Sequence, residues 1–258
     1  MRGYTEEVAL ENLIVSFNTV QDEQGYLWFT STGGLHRFDG EQLKYYQQDE
    51  HNGLAYKYAR GLYLDNNQML WIGTYRGLNS YDAKTQKFRH LVNENWPKSK
   101  NLRITAITGD KNNNLWTITL NGELVHYQVD TNTFTELPLR LKTQQQNQAH
   151  ELWDIKQDEK GYFWVASSAG LYKLSIDVNA PKLLSSHLYN TTNSELNSNL
   201  VVKIHIGEQQ NLWLGTSNGV NFYHRLTDTI TSASMLKNED SPLTNVNATY
   251  FSEDRQGN

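Results

Sequence analysis

The sequence predicts an all-β fold of repeated four-stranded units, a β-propeller, and two observations lead to it. A tryptophan recurs at intervals of 43, 45, 48 and 49 residues, and a glycine follows each tryptophan after six residues. The 258-residue chain holds five such pairs: Trp28 and Gly34, Trp71 and Gly77, Trp116 and Gly122, Trp164 and Gly170, and Trp213 and Gly219. Units of about 45 residues with four short strands each are typical of propeller blades.

Each repeat divides into four strands. An apolar or alternating run, such as residues 200–206, leads into a turn that begins with aspartate in four repeats and with Gly207 in the fifth. The tryptophan strand follows, then a turn at the repeated glycine, a third strand that ends in an aromatic residue or leucine, and a variable fourth strand. Aspartate, asparagine and glycine suit these turns because they accept positive φ or bond to the nearby backbone.

The repeats lie at about residues 12–46, 54–91, 101–137, 150–184 and 199–231, and a partial sixth lies at 245–258. Residues 1–258 are therefore interpreted as one β-propeller region with five full repeats and the start of another. An unpaired edge strand invites aggregation, so we expect this segment to be an excerpt of a larger propeller.

Composition excludes several classes of function. The chain carries 28 acidic and 23 basic residues, a net charge of −5, and its lysines and arginines do not cluster. A nucleic-acid partner is not expected, because phosphate backbones require clustered positive charge. Cysteine is absent, and the eight histidines lack the spacing of metal ligands, so we predict no metal and no other cofactor. No apolar run approaches the roughly 18 residues of a membrane span.

The segments 25–40, GYLWFTSTGGLHRFDG, and 70–82, LWIGTYRGLNSYD, resemble the two-component regulator propeller repeat. That family's pattern is roughly D-x-x-G-x-L-W-[IF]-G-T-x-x-G-L-x-R-[FY]-D. The first, second and fifth copies match it closely. The third copy departs at 117–119 and Glu123, the fourth departs at 166–168, and Gly207 replaces the aspartate of the fifth. The resemblance extends over about residues 12–258.

The resemblance implies the extracytoplasmic sensor region of a bacterial membrane receptor, located in the periplasm as part of an inner-membrane protein. Its expected partner is a small-molecule ligand such as an oligosaccharide or a peptide, and a homodimer is an open alternative. In this family the output is commonly a hybrid two-component histidine kinase, which is our first expectation, or a GGDEF diguanylate cyclase. A sialidase- or lyase-like enzyme and a structural scaffold are the alternatives from other classes.

The residues that all copies share are interpreted as structural. A ligand would rarely need five identical tryptophans, so we expect these rings to pack between neighbouring blades. The repeated aspartates lack the further carboxylates of a calcium loop and are interpreted as turn caps. No nucleophile elbow, phosphate-binding loop or paired carboxylate stands out, so we predict no catalytic residue in this segment.

Ligand-binding residues are sought where the copies differ. Eleven residues before each repeat tryptophan lie Phe17, Arg60, Thr105, Trp153 and Val202, close to the expected central funnel. The loop 52–60 and the turns between second and third strands open on the same face. We predict that the ligand residues there are Arg60, Trp153, Tyr75, Arg76, Arg103, Asn121 and Asn218.

Overall fold

The computed structural model describes residues 16–91, 103–137, 150–207, 210–233, 247–249 and 251. These residues form twenty β-strands in five four-stranded antiparallel sheets, and no α-helix occurs among them. Within each sheet the strands pair in chain order, so each sheet is one meander. The predicted all-β propeller architecture with four-stranded blades is therefore confirmed.

The strands of the first two blades alternate with short turns. Blade one contains β1 (Ser16–Gln21), β2 (Leu27–Ser31), β3 (Leu35–Phe38) and β4 (Leu43–Tyr46). Blade two contains β5 (Ala59–Leu64), β6 (Met69–Thr74), β7 (Gly77–Asp82) and β8 (Lys87–His90). The repeated glycine begins or precedes the third strand in every blade, and it has positive φ at all five positions, from 89° at Gly122 to 145° at Gly34. Only glycine adopts this conformation without strain, which explains its repetition.

The remaining blades follow the same plan. Blade three contains β9 (Ile104–Gly109), β10 (Leu115–Thr119), β11 (Leu124–Gln128) and β12 (Thr133–Leu137). Blade four contains β13 (Leu152–Gln157), β14 (Phe163–Ser167), β15 (Gly170–Asp177) and β16 (Lys182–Tyr189). Blade five contains β17 (Val201–Ile206), β18 (Leu212–Thr216), β19 (Gly219–His224) and β20 (Thr229–Ser232). Strand β16 continues to Tyr189, beyond the predicted end of the fourth repeat at residue 184.

The chain forms two compact units, residues 1–107 and 108–258, and the boundary falls within β9. In the first unit the Trp28 ring lies between blades one and two, 5.6 Å from the Tyr46 ring and 5.2 Å from that of Tyr81. Trp28 is only 2% exposed, so the pair of blades buries it almost completely. Burial of such a large aromatic side chain stabilises the contact between two blades.

Tryptophans fill the same place in the second unit. The Trp116 ring of blade three lies 4.9 Å from Phe163 of blade four, and the Trp164 ring lies 4.6 Å from Tyr223 of blade five. Trp213 is half-buried and meets Phe222 of its own blade edge-on at 4.8 Å. Trp28, Trp116 and Trp164 thus each join one blade to the next within their own unit.

The repeated aspartate has two partners, of which sequence reasoning identified one. In blade one the Asp22 Oδ1 atom accepts the backbone N–H groups of Gln24 and Tyr26 and closes the turn. Its Oδ2 atom accepts the indole N–H of Trp28 at 2.7 Å. The same bond joins Asp65 to Trp71 at 2.8 Å, Asp110 to Trp116 at 2.8 Å and Asp158 to Trp164 at 3.0 Å. The carboxylate thus fixes both the turn and the orientation of the tryptophan.

Glycine permits close approach of adjacent blades at Gly73 in the first unit. A Cβ atom there would clash with the Cγ2 atom of Ile104 and would lie 3.0 Å from its Cβ and 3.3 Å from the Cα of Gly61. The φ angle of Gly73 is not in the left-handed region, so glycine is required there only because a larger side chain would not fit. Blade four has Ala166 at the same repeat position, packed in one cluster with Val201, which is smaller than isoleucine.

Candidate functional site

The position eleven residues before the repeat tryptophan has a specific backbone role. In four blades the register between the first and second strands shifts by one residue, at Phe17, Arg60, Trp153 and Val202. A β-bulge re-aims the side chain of the extra residue and is common beside binding sites. Sequence reasoning selected this position by its offset, but it had no signal for the bulge itself.

In the first unit the bulged residues join a group of rings and guanidinium groups. The Tyr58 and Tyr75 rings stack at 4.6 Å, and the Phe17 ring lies 6.3 Å from that of Tyr58. The Arg60 guanidinium lies 4.9 Å from the centre of the Phe17 ring, and that of Arg103 lies 5.5 Å from the centre of the Tyr75 ring. We call these five residues the tyrosine–arginine cluster.

Backbone bonds hold the cluster in place. The N–H of Tyr75 donates to the carbonyl of Tyr58 at 3.1 Å, which fixes the two stacked tyrosines relative to each other. The carbonyl of Arg60 accepts the Asn18 side-chain amide at 2.8 Å and the Thr30 hydroxyl at 2.9 Å. Both donors belong to blade one, so the bulge at the start of blade two is fixed by its neighbour. A site held by rigid strands is preorganised for a ligand.

Arg76 lies beside the cluster on a different ring. Its side chain is exposed, and its guanidinium lies 5.2 Å from the centre of the Tyr56 ring. Its backbone N–H donates to the Thr74 hydroxyl at 3.1 Å, within the turn between β6 and β7. The first unit therefore brings together four predicted residues, Arg60, Tyr75, Arg76 and Arg103, with aromatic rings from β1, from the loop 52–60 and from the turn between β6 and β7.

Three predicted residues lie in the second unit. Trp153 is half-buried and packs against the apolar core shared by blades four and five, so part of its ring area serves that core. Asn121 is half-buried in the turn before Gly122. Asn218 is exposed, and its side-chain amide donates to the carbonyl of Asn197 at 3.5 Å.

A buried ion pair follows the bulges of blades four and five. The Lys203 ammonium lies 3.4 Å from the Asp154 Oδ2 atom, and the two residues are 8% and 2% exposed. The carboxylate also accepts the backbone N–H groups of Ile155 and Ile204. Sequence reasoning missed this pair, although the two residues share one repeat position, ten before the tryptophan. These bonds connect β13 of blade four with β17 of blade five. They also supply the partners that a buried charge requires.

The tyrosine–arginine cluster has a definite chemical capacity. Guanidinium groups bind carboxylates through paired N–H donors, and flat tyrosine rings stack against the apolar faces of sugars and peptides. Arginine over an aromatic face is also held by cation–π attraction.

Among the described residues no group of histidines and carboxylates is arranged for a metal ion. The described part of the chain contains no apolar helix of membrane-spanning length.

No protein-family model matches the sequence, and no curated protein matches it either. Solved structures do. One, named as the extracellular domain of the hybrid two component system BT3049 from B. thetaiotaomicron, is 25% identical with a TM-score of 0.66. The match covers 84% of this chain and 29% of that one.

Two further structures show the breadth of the fold. The extracellular domain named BT4673, from the same organism, is 18% identical with a TM-score of 0.57 over 94% of this chain and 39% of that one. Virginiamycin B lyase from Staphylococcus aureus is 13% identical with a TM-score of 0.63 over 84% of this chain and 68% of that one. The present chain thus spans well under half the length of the two extracellular domains.

Proposed function

We propose that this chain, which resembles the two-component regulator propellers in its repeat motif and is similar to the extracellular domain of such a system, is the extracytoplasmic ligand-binding part of a bacterial membrane receptor. The sensor of a histidine kinase is our first choice of receptor, and the sensor of a diguanylate cyclase is the second. Support comes from the repeat motif and from the 25% identity to an extracellular domain of a two component system. By the same argument we propose that the segment lies in the periplasm.

The observation that carries the binding role is the tyrosine–arginine cluster. Stacked Tyr58 and Tyr75 offer a flat surface, and the guanidinium groups of Arg60 and Arg103 flank the same set of rings. This combination suits a ligand with a ring or an apolar face and a carboxylate. A ligand transmits a signal only when it binds one arrangement of the receptor more tightly than another.

We also propose that the segment binds without catalysis. The buried His36 is engaged elsewhere in the first unit: its ring stacks on Phe29 and Tyr45, and its Nε2 atom lies 2.8 Å from the Ser31 hydroxyl oxygen. The lyase among the similar structures is only 13% identical, so its likeness concerns the fold. Turnover of any bound compound would contradict this part of the proposal.

A thermal-shift screen tests the proposed function. The chain is heated with neutral and uronic-acid oligosaccharides, amino acids and short peptides, each at millimolar concentration. A ligand at 100 times its Kd stabilises the native state by about 2.7 kcal/mol, which raises the Tm of a chain of this size by about 5–10 °C.

Variants locate the site. We expect Arg60→Ala and Tyr75→Ala to remove the shift, because each loses a side chain of the cluster. Arg89→Ala is the matched control, since Arg89 is an exposed arginine on the outer strand β8 of the same blade. A shift that persists in both cluster variants would refute the placement of the site.

A further inference from the structure

Blade four has an outer hairpin unlike those of the other blades. Strands β15 and β16 contain eight residues each, whereas the third and fourth strands elsewhere contain four to six. The last residue of β15 that pairs with β14 is Leu174, opposite Phe163. Residues 175–177 pair with β16 alone. The tip of this hairpin therefore projects beyond the rest of its sheet.

The projecting tip forms one wall of a cavity of about 290 Å³ in the second unit. Ser175 and Ile176 line it from the hairpin, Lys160 and Tyr162 from the turn between β13 and β14, and Lys111 from the turn between β9 and β10. The Asn112 side-chain amide donates to the Asn179 side chain at 3.1 Å and so joins the preceding blade to the hairpin. We call this cavity the hairpin recess.

The hairpin recess lies at a different end of its blade from the predicted ligand turns. The recess is lined by the turn that joins the first and second strands and by the turn that joins the third and fourth strands. Ser168 and Ala169 lie in the turn that joins the second and third strands, at the other end of the blade. In an antiparallel meander successive turns alternate between the two ends of the strands, so these two classes of turn lie at opposite ends of the sheet. The recess is thus a separate place from the one that sequence reasoning selected.

The charge of the hairpin recess is positive although the chain is acidic. Lys111 and Lys160 are exposed, and neither forms an ion pair with any residue that the structure describes. Glu159 also lines the recess, and its carboxylate lies 3.9 Å from Nη1 of Arg225. The two ammonium groups therefore remain available, while the carboxylate has a cationic neighbour.

We propose that the hairpin recess binds a small polyvalent anion, either a di- or tricarboxylate or a phosphate monoester. Its volume is at the lower end of the roughly 300–1,000 Å³ of small-molecule sites, which favours a compact ligand. Two lysines supply point charges for several anionic oxygens, the Ser175 hydroxyl is a further donor, and Tyr162 and Ile176 contact the carbon skeleton. This proposal does not depend on the proposed function.

Calorimetric titration of the chain with citrate, glucose 6-phosphate and glucose tests the proposal. We expect saturable binding of citrate or glucose 6-phosphate and no binding of glucose, and the two anions distinguish a carboxylate from a phosphate ligand. Lys111→Gln and Lys160→Gln should each weaken binding about tenfold, because each removes a charged hydrogen-bond donor. Lys182→Gln should have no effect, since Lys182 is exposed on the same hairpin but lies outside the recess.

Three results would overturn the proposal. The first is the absence of saturable binding by both anions. The second is an equal loss of affinity in Lys182→Gln and Lys160→Gln, which would indicate attraction by surface charge alone. The third is loss of anion binding in Arg60→Ala, which would place the anion at the tyrosine–arginine cluster instead. A shift of the Gly161 amide resonance on titration would support the recess independently of any variant.

Discussion

Replacement of Asp22 by asparagine isolates the bond between the repeated aspartate and tryptophan. The Oδ1 atom of asparagine can still accept the turn N–H groups that Asp22 accepts, of Gln24 and Tyr26. The other atom becomes an N–H2 group that faces the indole N–H of Trp28, a donor against a donor. Because Trp28 is 2% exposed, no water replaces the lost acceptor. An unsatisfied buried donor costs about 1–3 kcal/mol, and the lost acceptor was charged, so we expect about 2–3 kcal/mol.

Chemical denaturation of the variant and the parent chain measures this free energy of unfolding, and the Tm should fall by about 4–12 °C. Asp39→Asn is the matched control in the same blade. Asp39 is exposed and accepts the N–H groups of Glu41 and Gln42 through Oδ1 alone, and asparagine retains that atom. We expect the control to cost less than about 0.5 kcal/mol. Equal losses in the two variants would refute the role assigned to the indole bond.

Two further predictions concern packing and pH. Gly73→Ala should destabilise the chain by about 1–3 kcal/mol, because the new methyl group clashes with Ile104. In a double-mutant cycle this penalty should largely disappear when Ile104 is also replaced by alanine, and additive losses would contradict the prediction. Burial lowers the pKa of His36 to about 4, so the unfolded chain takes up this proton first and stability falls as pH decreases from about 6.5 to about 4. The loss is about 3 kcal/mol at most, and denaturation at several pH values should show a flatter profile for His36→Gln; identical profiles would contradict the assignment.

The fold was predictable because its signals are periodic. One tryptophan and one glycine at a fixed separation repeat five times, and the glycine has positive φ at each site. The Asp22 to Trp28 bond was also within reach, since their separation of six residues recurs in four copies. A constant spacing between a carboxylate and an indole N–H is itself a signal for a hydrogen bond.

Other features depend on pairing that no single stretch of sequence records. The bulge at Arg60 is a register shift between two strands, and the stacking of Tyr58 on Tyr75 joins two separate loops. The long β16 was missed because residues 185–187 are two serines and a histidine, which read as a loop. Pairing with β15 makes them a strand, because tertiary context overrides weak local propensity.

The bulge also has an evolutionary consequence. At a bulge the register between two strands shifts by one residue, so the alternation of inward and outward side chains is interrupted there. Phenylalanine, arginine, tryptophan and valine all occupy this position in one chain, at Phe17, Arg60, Trp153 and Val202, on strands of six residues with the same register shift. Substitution there exchanges the chemistry of a surface while the framework persists. A lineage of such chains can therefore diversify in what it recognises, one blade at a time.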